Sequence, residues 1–152
     1  MRESIVGPAG FIKGQVQQLH VLDYGLFKVH ANGRVIGICG FLIVTDLGER
    51  ILVDTGFPQK YADDVVAASL EDRLGGLGEI LQFTSENMPK SQLAKAGVAM
   101  GDIDLLIITH THIDHVGGLC DFPGVPILIA KAERDLERPM YWGKVQPMDW
   151  PD

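Results

Sequence analysis

Between Leu105 and Gly118 the sequence reads Leu-Leu-Ile-Ile-Thr-His-Thr-His-Ile-Asp-His-Val-Gly-Gly. This stretch constrains the fold more than any other. Leu105 to Thr109 is a continuous apolar run of strand length, the pattern of a strand buried on both faces. It delivers the chain straight into His110, His112, Asp114 and His115. Side chains two apart in an extended segment point the same way, so His110 and His112 can reach one metal ion. A helical turn immediately afterwards would swing Asp114 and His115 to a neighbouring position. Imidazole and carboxylate donors together suit a borderline divalent ion, zinc first, with iron or manganese as alternatives. Gly117 and Gly118 put no side chain in the way of a close backbone approach and allow conformations that other residues avoid. The competing reading is a histidine-rich surface turn with solvated imidazoles. Such a turn needs neither this spacing nor a buried strand aimed at it.

The rest of the chain reads as β-rich first, then alternating α and β. Gln15 to Val21 and Leu26 to His30 are expected as short strands around a turn at Asp23-Tyr24-Gly25, and Asn32-Gly33 is a hairpin signal. Gly37 to Thr45 and Arg50 to Asp54 flank a turn at Asp46 to Glu49 and are expected to pair. Tyr61 to Leu70 has a helical pattern with Asp63 and Asp64 near its start. Gly75, Gly76 and Gly78 mark the stretch through Asn87 as an irregular loop. It lacks the Lys-Ser/Thr pair of a phosphate loop. A short helix is expected over Ser91 to Ala96, with Pro89 near its start and Gly97 as its stop. Val125 to Ala130 is a further strand, followed by a helix from Lys131 to Arg138. No internal repeat or low-complexity segment is visible.

At 152 residues and 46% apolar composition the chain is the size of one domain with a real core. Thirteen basic and 20 acidic residues give a formal charge of -7, without a charged tail, so nucleic acid is not the expected partner. Cys39 and Cys120 form no Cys-x-x-Cys pair or disulfide framework and read as buried small apolar residues. No signal-peptide pattern and no apolar run of membrane-spanning length is present. The expected setting is soluble, reducing and cytoplasmic, with no membrane partner.

His110-Thr111-His112-Ile113-Asp114-His115, followed by Val116-Gly117-Gly118, resembles the His-x-His-x-Asp-His motif of the metallo-β-lactamase superfamily, and Leu52-Val53-Asp54-Thr55-Gly56 resembles its other early motif. The resemblance spans about Gln15 to Glu137. It implies an α/β (α+β) fold, the αββα sandwich of that family, with two divalent metal ions at its edge. By position, His110 and His112 would hold one ion and Asp114 and His115 the other, while Asp54 would orient the ligand loop from behind. On spacing alone, Asp54 reads almost as well as an Asp that opens a turn after a strand. The wide interval between the motifs, and the strand and acidic helix around Pro126 to Glu133, resemble N-acyl-homoserine lactonases and related hydrolases.

The family completes its site with a further histidine, a bridging aspartate and a final histidine downstream. Here no histidine follows His115. Residues 1–152 are therefore expected to be the N-terminal portion of a single domain, roughly one half of the sandwich. The half would be completed by a missing C-terminal portion or by pairing as a homodimer, because the sheet would otherwise expose an apolar face. His20 and His30 read as solvated or locally bonded residues. Tyr141, Trp142, Met148 and Trp150 would line a pocket or cover the core.

For the complete protein the resemblance implies hydrolysis of a small-molecule lactone or related ester by a hydroxide bridging two metals. Asp114 would ligate and assist proton transfer to the leaving oxygen. Two alternatives stand beside this reading. One is another hydrolase of the superfamily, such as a thiolesterase or organophosphate hydrolase. The other is a non-catalytic metal-binding or interaction half-domain, inactive alone.

Overall fold

The computed structural model describes residues 12–135, together with the backbone of residues 140–141 and 144–145. Its centre is a six-stranded mixed sheet in the order β4-β1-β2-β3-β5-β6. The strands are β1 (Val16–Val29), β2 (Val35–Thr45), β3 (Arg50–Val53), β4 (Gly78–Gln82), β5 (Leu105–Ile108) and β6 (Ile127–Ile129). The helices are α1 (Gln59–Asp63), α2 (Val65–Glu71), α3 (Pro89–Lys95), α4 (Ile113–Val116) and α5 (Lys131–Arg134). A short pair, β7 (Met140–Tyr141) and β8 (Lys144–Val145), forms a separate ladder. Strands β4, β1, β2 and β3 pair antiparallel, whereas β3, β5 and β6 pair parallel. The expected mixed α/β class and the β2–β3 hairpin are both present. Among the described residues no helix is long and apolar enough to cross a membrane.

Three expectations about the elements themselves are corrected. Gln15 to His30 forms one long strand, not two strands around a turn. Asp23-Tyr24-Gly25 makes a bulge, visible as the register shift between Asp23 and Leu26. Gly25 there adopts φ 103 and donates its N–H to the Asp23 carboxylate at 2.9 Å, a short local bond that lets the strand kink and continue. The helix expected over Tyr61 to Leu70 is two helices broken at Asp64. This residue is extended, and its side chain accepts from the N–H groups of Val66 and Ala67, so it caps α2 instead of lying inside one helix. The glycine-rich loop contains strand β4, paired with the far end of β1. Helix α3 begins at Pro89, and Gly97 at φ 73 ends it. The end of the expected helix toward Arg138, and the side chains of Tyr141, Trp142, Met148 and Trp150, lie outside the described residues.

The core fills one face of the sheet. Leu22, Leu42, Leu52, Leu106 and Ile108 from the strands form one cluster with Tyr61, Leu93, Ile113, Val116, Leu119 and Phe122. The sheet alternation turns the intervening residues to the opposite face. Leu19 pairs with Ile43 and Val21 with Phe41, so each pair shares that face. Leu19 and Val21 are 59% and 68% exposed. The uncovered apolar face expected from the sequence is present at this end of the sheet. Both cysteines depart from expectation: Cys39 and Cys120 are exposed free thiols. Cys39 lies on β2 where its neighbours Ile38 and Gly40 are the buried ones, and Cys120 sits in a short turn after Gly118.

Candidate metal centre

Two strands end side by side. Val53 of β3 pairs with Ile107 of β5, so Asp54 and Thr109 leave the sheet at the same edge. Asp54 takes φ 60, a left-handed conformation that Asp tolerates better than most residues. Its backbone N–H donates to the Ile107 carbonyl at 2.9 Å. Its own carbonyl accepts from the fully buried Tyr24 hydroxyl at 3.2 Å. Burial, reinforced by the Asp54 charge, pushes the Tyr24 phenol upward, so it stays a neutral donor.

The Asp54 carboxylate is 3% exposed and fully engaged. Oδ1 accepts from the Thr109 N–H at 2.8 Å, and Oδ2 accepts from the Thr109 hydroxyl at 2.7 Å. The ring nitrogen Nδ1 of His115 lies 2.8 Å from the same Oδ2. Asp54 thus opens the turn after β3 and bonds a histidine of the cluster.

The Asp54-Thr55-Gly56 loop is stitched to the cluster by its backbone as well. Thr55 donates its N–H and its hydroxyl to the His115 carbonyl at 2.8 and 3.0 Å. The Thr55 hydroxyl accepts from the Gly118 N–H at 3.0 Å, and Gly117 donates to the Gly56 carbonyl at 2.8 Å. A Cβ on Gly117 would lie 2.1 Å from the Pro58 nitrogen and 2.2 Å from the Phe57 carbonyl carbon. Neither Gly117 nor Gly118 has a positive φ. Gly117 is thus required by packing of one loop on another, and the expected conformational freedom plays no part.

His112 caps α4 in extended conformation, which carries out the switch from strand spacing to helical spacing read from the sequence. The imidazole centroid of His110 lies 4.6 Å from that of His112 and 4.0 Å from that of His115. His115 Nε2 approaches Asp114 Oδ2 at 3.4 Å. Burial pushes the His115 imidazole down, but hydrogen bonds to Asp114 and Asp54, and their charges, outweigh it and lift the group to about 9. Burial, and then the neighbouring imidazoles, lower His110. Asp114 is buried, and its Oδ1 has no hydrogen-bond partner, a costly state for a carboxylate oxygen unless a cation or donor meets it.

All four residues line one pocket of about 310 Å³, with Phe27, Val29, Ile36, Ile38 and Cys39 of the β1–β2 hairpin as its other wall. Among the described residues, no group of three or more His, Cys, Asp or Glu side chains is arranged to hold a metal ion by itself. The donor set nevertheless fits a divalent ion, since imidazoles and an unpartnered buried carboxylate oxygen meet at one cavity.

Sequence reasoning missed the supports behind these residues. Thr109 bonds Asp54, and Thr111, 2% exposed, donates its N–H and hydroxyl to Glu133 at 3.0 and 2.9 Å. Threonines on both sides of His110 were a usable signal for the first; nothing in a single sequence pairs Thr111 with a glutamate 22 positions on. His20 bonds locally to Gln18, as the sequence suggested, whereas His30 bonds the Gly75 carbonyl, 45 positions on.

A mixed sheet whose parallel strands release an aspartate and a His-x-His-x-Asp-His turn at one edge defines an α/β domain of metallo-hydrolase type. The chain belongs to the metallo-beta-lactamase superfamily, whose profile matches residues 40–146. A protein of Mycobacterium tuberculosis named as a probable metallo-hydrolase is 29% identical over 132 residues, covering 86% of this chain and 40% of that protein. The N-acyl homoserine lactonase of Bacillus cereus is 34% identical over 94 residues, covering 61% of this chain and 36% of the lactonase. A solved N-acyl homoserine lactone hydrolase, with the product N-hexanoyl-L-homoserine bound at its catalytic metal center, superposes with a TM-score of 0.62 at 26% identity. It covers 78% of this chain and 50% of that one. The chain thus spans less than half the length of these curated relatives and about half of the solved lactonase.

Proposed function

We propose that this chain carries the first metal-ligand cluster of a hydrolase that opens a lactone or cleaves a related ester, with two divalent ions, zinc first, as cofactors. His110 and His112 would hold one ion, and Asp114 and His115 the other. The observation that carries the reading is the shared pocket: four donor side chains, one with an unpartnered buried oxygen, face an apolar wall. When bound, such ions supply Lewis acidity, lowering the pKa of water toward neutrality and neutralising charge on a substrate oxygen. The protein supplies the rest. Asp54 would fix the His115 ring through Nδ1, while Nε2 stands 3.4 Å from Asp114 Oδ2, its proposed co-ligand. Phe27, Val29, Ile36 and Ile38 offer an apolar surface for a substrate's acyl or alkyl group and exclude water from it. Asp114 would accept on its carboxylate the proton shed by the attacking oxygen and pass it to the leaving oxygen. A cytoplasmic location agrees with two cysteines that form no disulfide framework.

The test uses the full-length protein and a panel of lactones, esters, thiolesters and organophosphate esters. Hydrolysis of lactone or ester is expected. His112→Ala and Asp114→Ala are expected to abolish it while circular dichroism stays unchanged, and wild-type turnover in the Asp114 variant would refute the assignment. The lack of a self-sufficient three-ligand group among the described residues favours a second reading for the chain alone, a metal-binding half-domain without activity. The metal-to-protein ratio of the native 152-residue chain separates the two. Near two, the site is completed by a second chain or by ligands outside the cluster, and hydrolysis by the chain itself follows. Near zero, activity resides only in a longer protein.

A further inference from the structure

We propose that Thr109 is a positioning residue that holds His110 as its Nδ1–H tautomer, so that one carboxylate, Asp54, sets the ring nitrogens of two histidines at once. The argument is a count of protons. The Thr109 hydroxyl lies 2.7 Å from Asp54 Oδ2 and 3.0 Å from His110 Nδ1. A hydroxyl carries one proton, and an ionised carboxylate can only accept. The proton therefore goes to Asp54, the shorter and charge-assisted contact. The oxygen is left to His110 as an acceptor, which requires a proton on Nδ1 and a lone pair on Nε2.

The second arm of the same carboxylate oxygen works directly. His115 Nδ1 lies 2.8 Å from Asp54 Oδ2, so His115 also carries its proton on Nδ1. Asp54 cannot reach His110 itself, and the threonine hydroxyl relays its polarity across one residue. Thr109 is held for that task by its own N–H, which donates to Asp54 Oδ1 at 2.8 Å. Valine would keep the side-chain volume and lose the relay, whereas serine would keep it. The inference rests on the proposed ligand role of His110 for its purpose, but its geometry stands without a metal.

The experiment records long-range 1H–15N correlation spectra of the metal-free, 15N-labelled chain at a pH where His110 is neutral, for wild type, Thr109→Val and Thr109→Ser. An unrestrained histidine favours the Nε2–H tautomer, so the expected wild-type result, Nδ1–H at His110, is distinctive. Thr109→Val is expected to lose it and drift toward Nε2–H, and Thr109→Ser to retain it. A wild-type His110 in the Nε2–H form overturns the proposal even if the valine variant fails to fold. So does a Thr109→Val spectrum identical to wild type. Zinc is then added to the wild-type chain: His110 nitrogen shifts that do not move overturn its ligand role and leave the tautomer result intact.

Discussion

Replacing Gly117 by alanine adds a single methyl group where the two motif loops pack backbone against backbone. The new carbon would stand 2.1 Å from the Pro58 nitrogen and 2.2 Å from the Phe57 carbonyl carbon. Neither atom can rotate away as a side-chain tip would, so the loops must separate by about an ångström to reach ordinary contact. Forced overpacking of this kind costs about 1–3 kcal/mol. Separation also strains the bonds from Gly117 to Gly56, from Thr55 to His115 and from Gly118 to Thr55, each contributing about 1 kcal/mol. With one of the three lost, the destabilisation is about 2–4 kcal/mol, a sizeable part of the roughly 5–15 kcal/mol of a typical domain. Urea unfolding of the metal-free chain reads it directly. Gly101→Ala is the control, because a Cβ there meets nothing within 4 Å. If the Gly117 variant unfolds within about 0.5 kcal/mol of that control, as ordinary surface substitutions do, then the loops are not packed as described and the account of the glycine is wrong.

Asp54→Asn keeps the shape and tolerates the left-handed backbone, but it cannot accept from Thr109 and His115 on one charged oxygen. Zinc affinity, read by competition with a chromophoric chelator, is expected to fall about 10–100-fold, and an unchanged affinity would show that Asp54 does not orient the cluster. Tyr61→Phe removes a donor from Asp72, a carboxylate 2% exposed whose other partner is Lys60 at 2.9 Å; a loss of about 1.5–3 kcal/mol is expected in urea unfolding. Glu49 accepts from the N–H groups of Lys13 and Gly14 and from the Thr45 hydroxyl, and those backbone bonds, led by Lys13, hold its carboxyl below the usual carboxylate value. Its contribution is therefore complete above the unfolded pKa and is lost as pH falls through the lower folded one. Glu49→Gln should flatten that acid limb of stability against pH, and a curve identical to wild type would remove Glu49 from it.

What could be read from the sequence was local, and what could not was set by neighbours distant along the chain. The His110 to His115 spacing defines its own geometry, because strand and helix periods are properties of a few consecutive residues. Strand β4 was hidden for the opposite reason. Gly78 looks like punctuation, yet a Cβ there would lie 2.1 Å from the Lys28 carbonyl and 2.4 Å from the Phe27 ring, so the glycine is what lets this strand pair with β1. Asp23-Tyr24-Gly25 carries the composition of a turn and forms a bulge, since β2 and β4 on either side hold the flanking segments in line. Cys39 followed the usual burial of its type until register decided otherwise: it pairs with Asp23, on the face opposite to buried Ile38 and Gly40. The Thr111–Glu133 bond depends on β6 lying beside β5, a fact of topology that no spacing rule contains.

That topology also explains why the site lies where it does. Strands β3, β5 and β6 are the only parallel neighbours among the described strands, and they run in one direction with Val53 beside Ile107 and Ile108 beside Ile129. Their carboxyl ends therefore open onto one edge, the place where parallel sheets present their loops. Asp54 follows β3, Thr109 and the histidines follow β5, and Glu133 follows β6. Each contributes one layer: β5 brings the three histidines and Asp114, β3 brings the carboxylate bonded to Thr109 and His115, and β6 brings the glutamate that ties Thr111 between the first two histidines. An antiparallel partner in the β3 position would carry Asp54 to the far edge of the sheet, where its carboxylate could reach neither Thr109 nor His115. The strained φ of Asp54 is sustained because five hydrogen bonds, to Ile107, Tyr24, Thr109 twice and His115, fix it from every side. The two motifs are thus one structural unit, and a substitution that loosens either is expected to loosen the other.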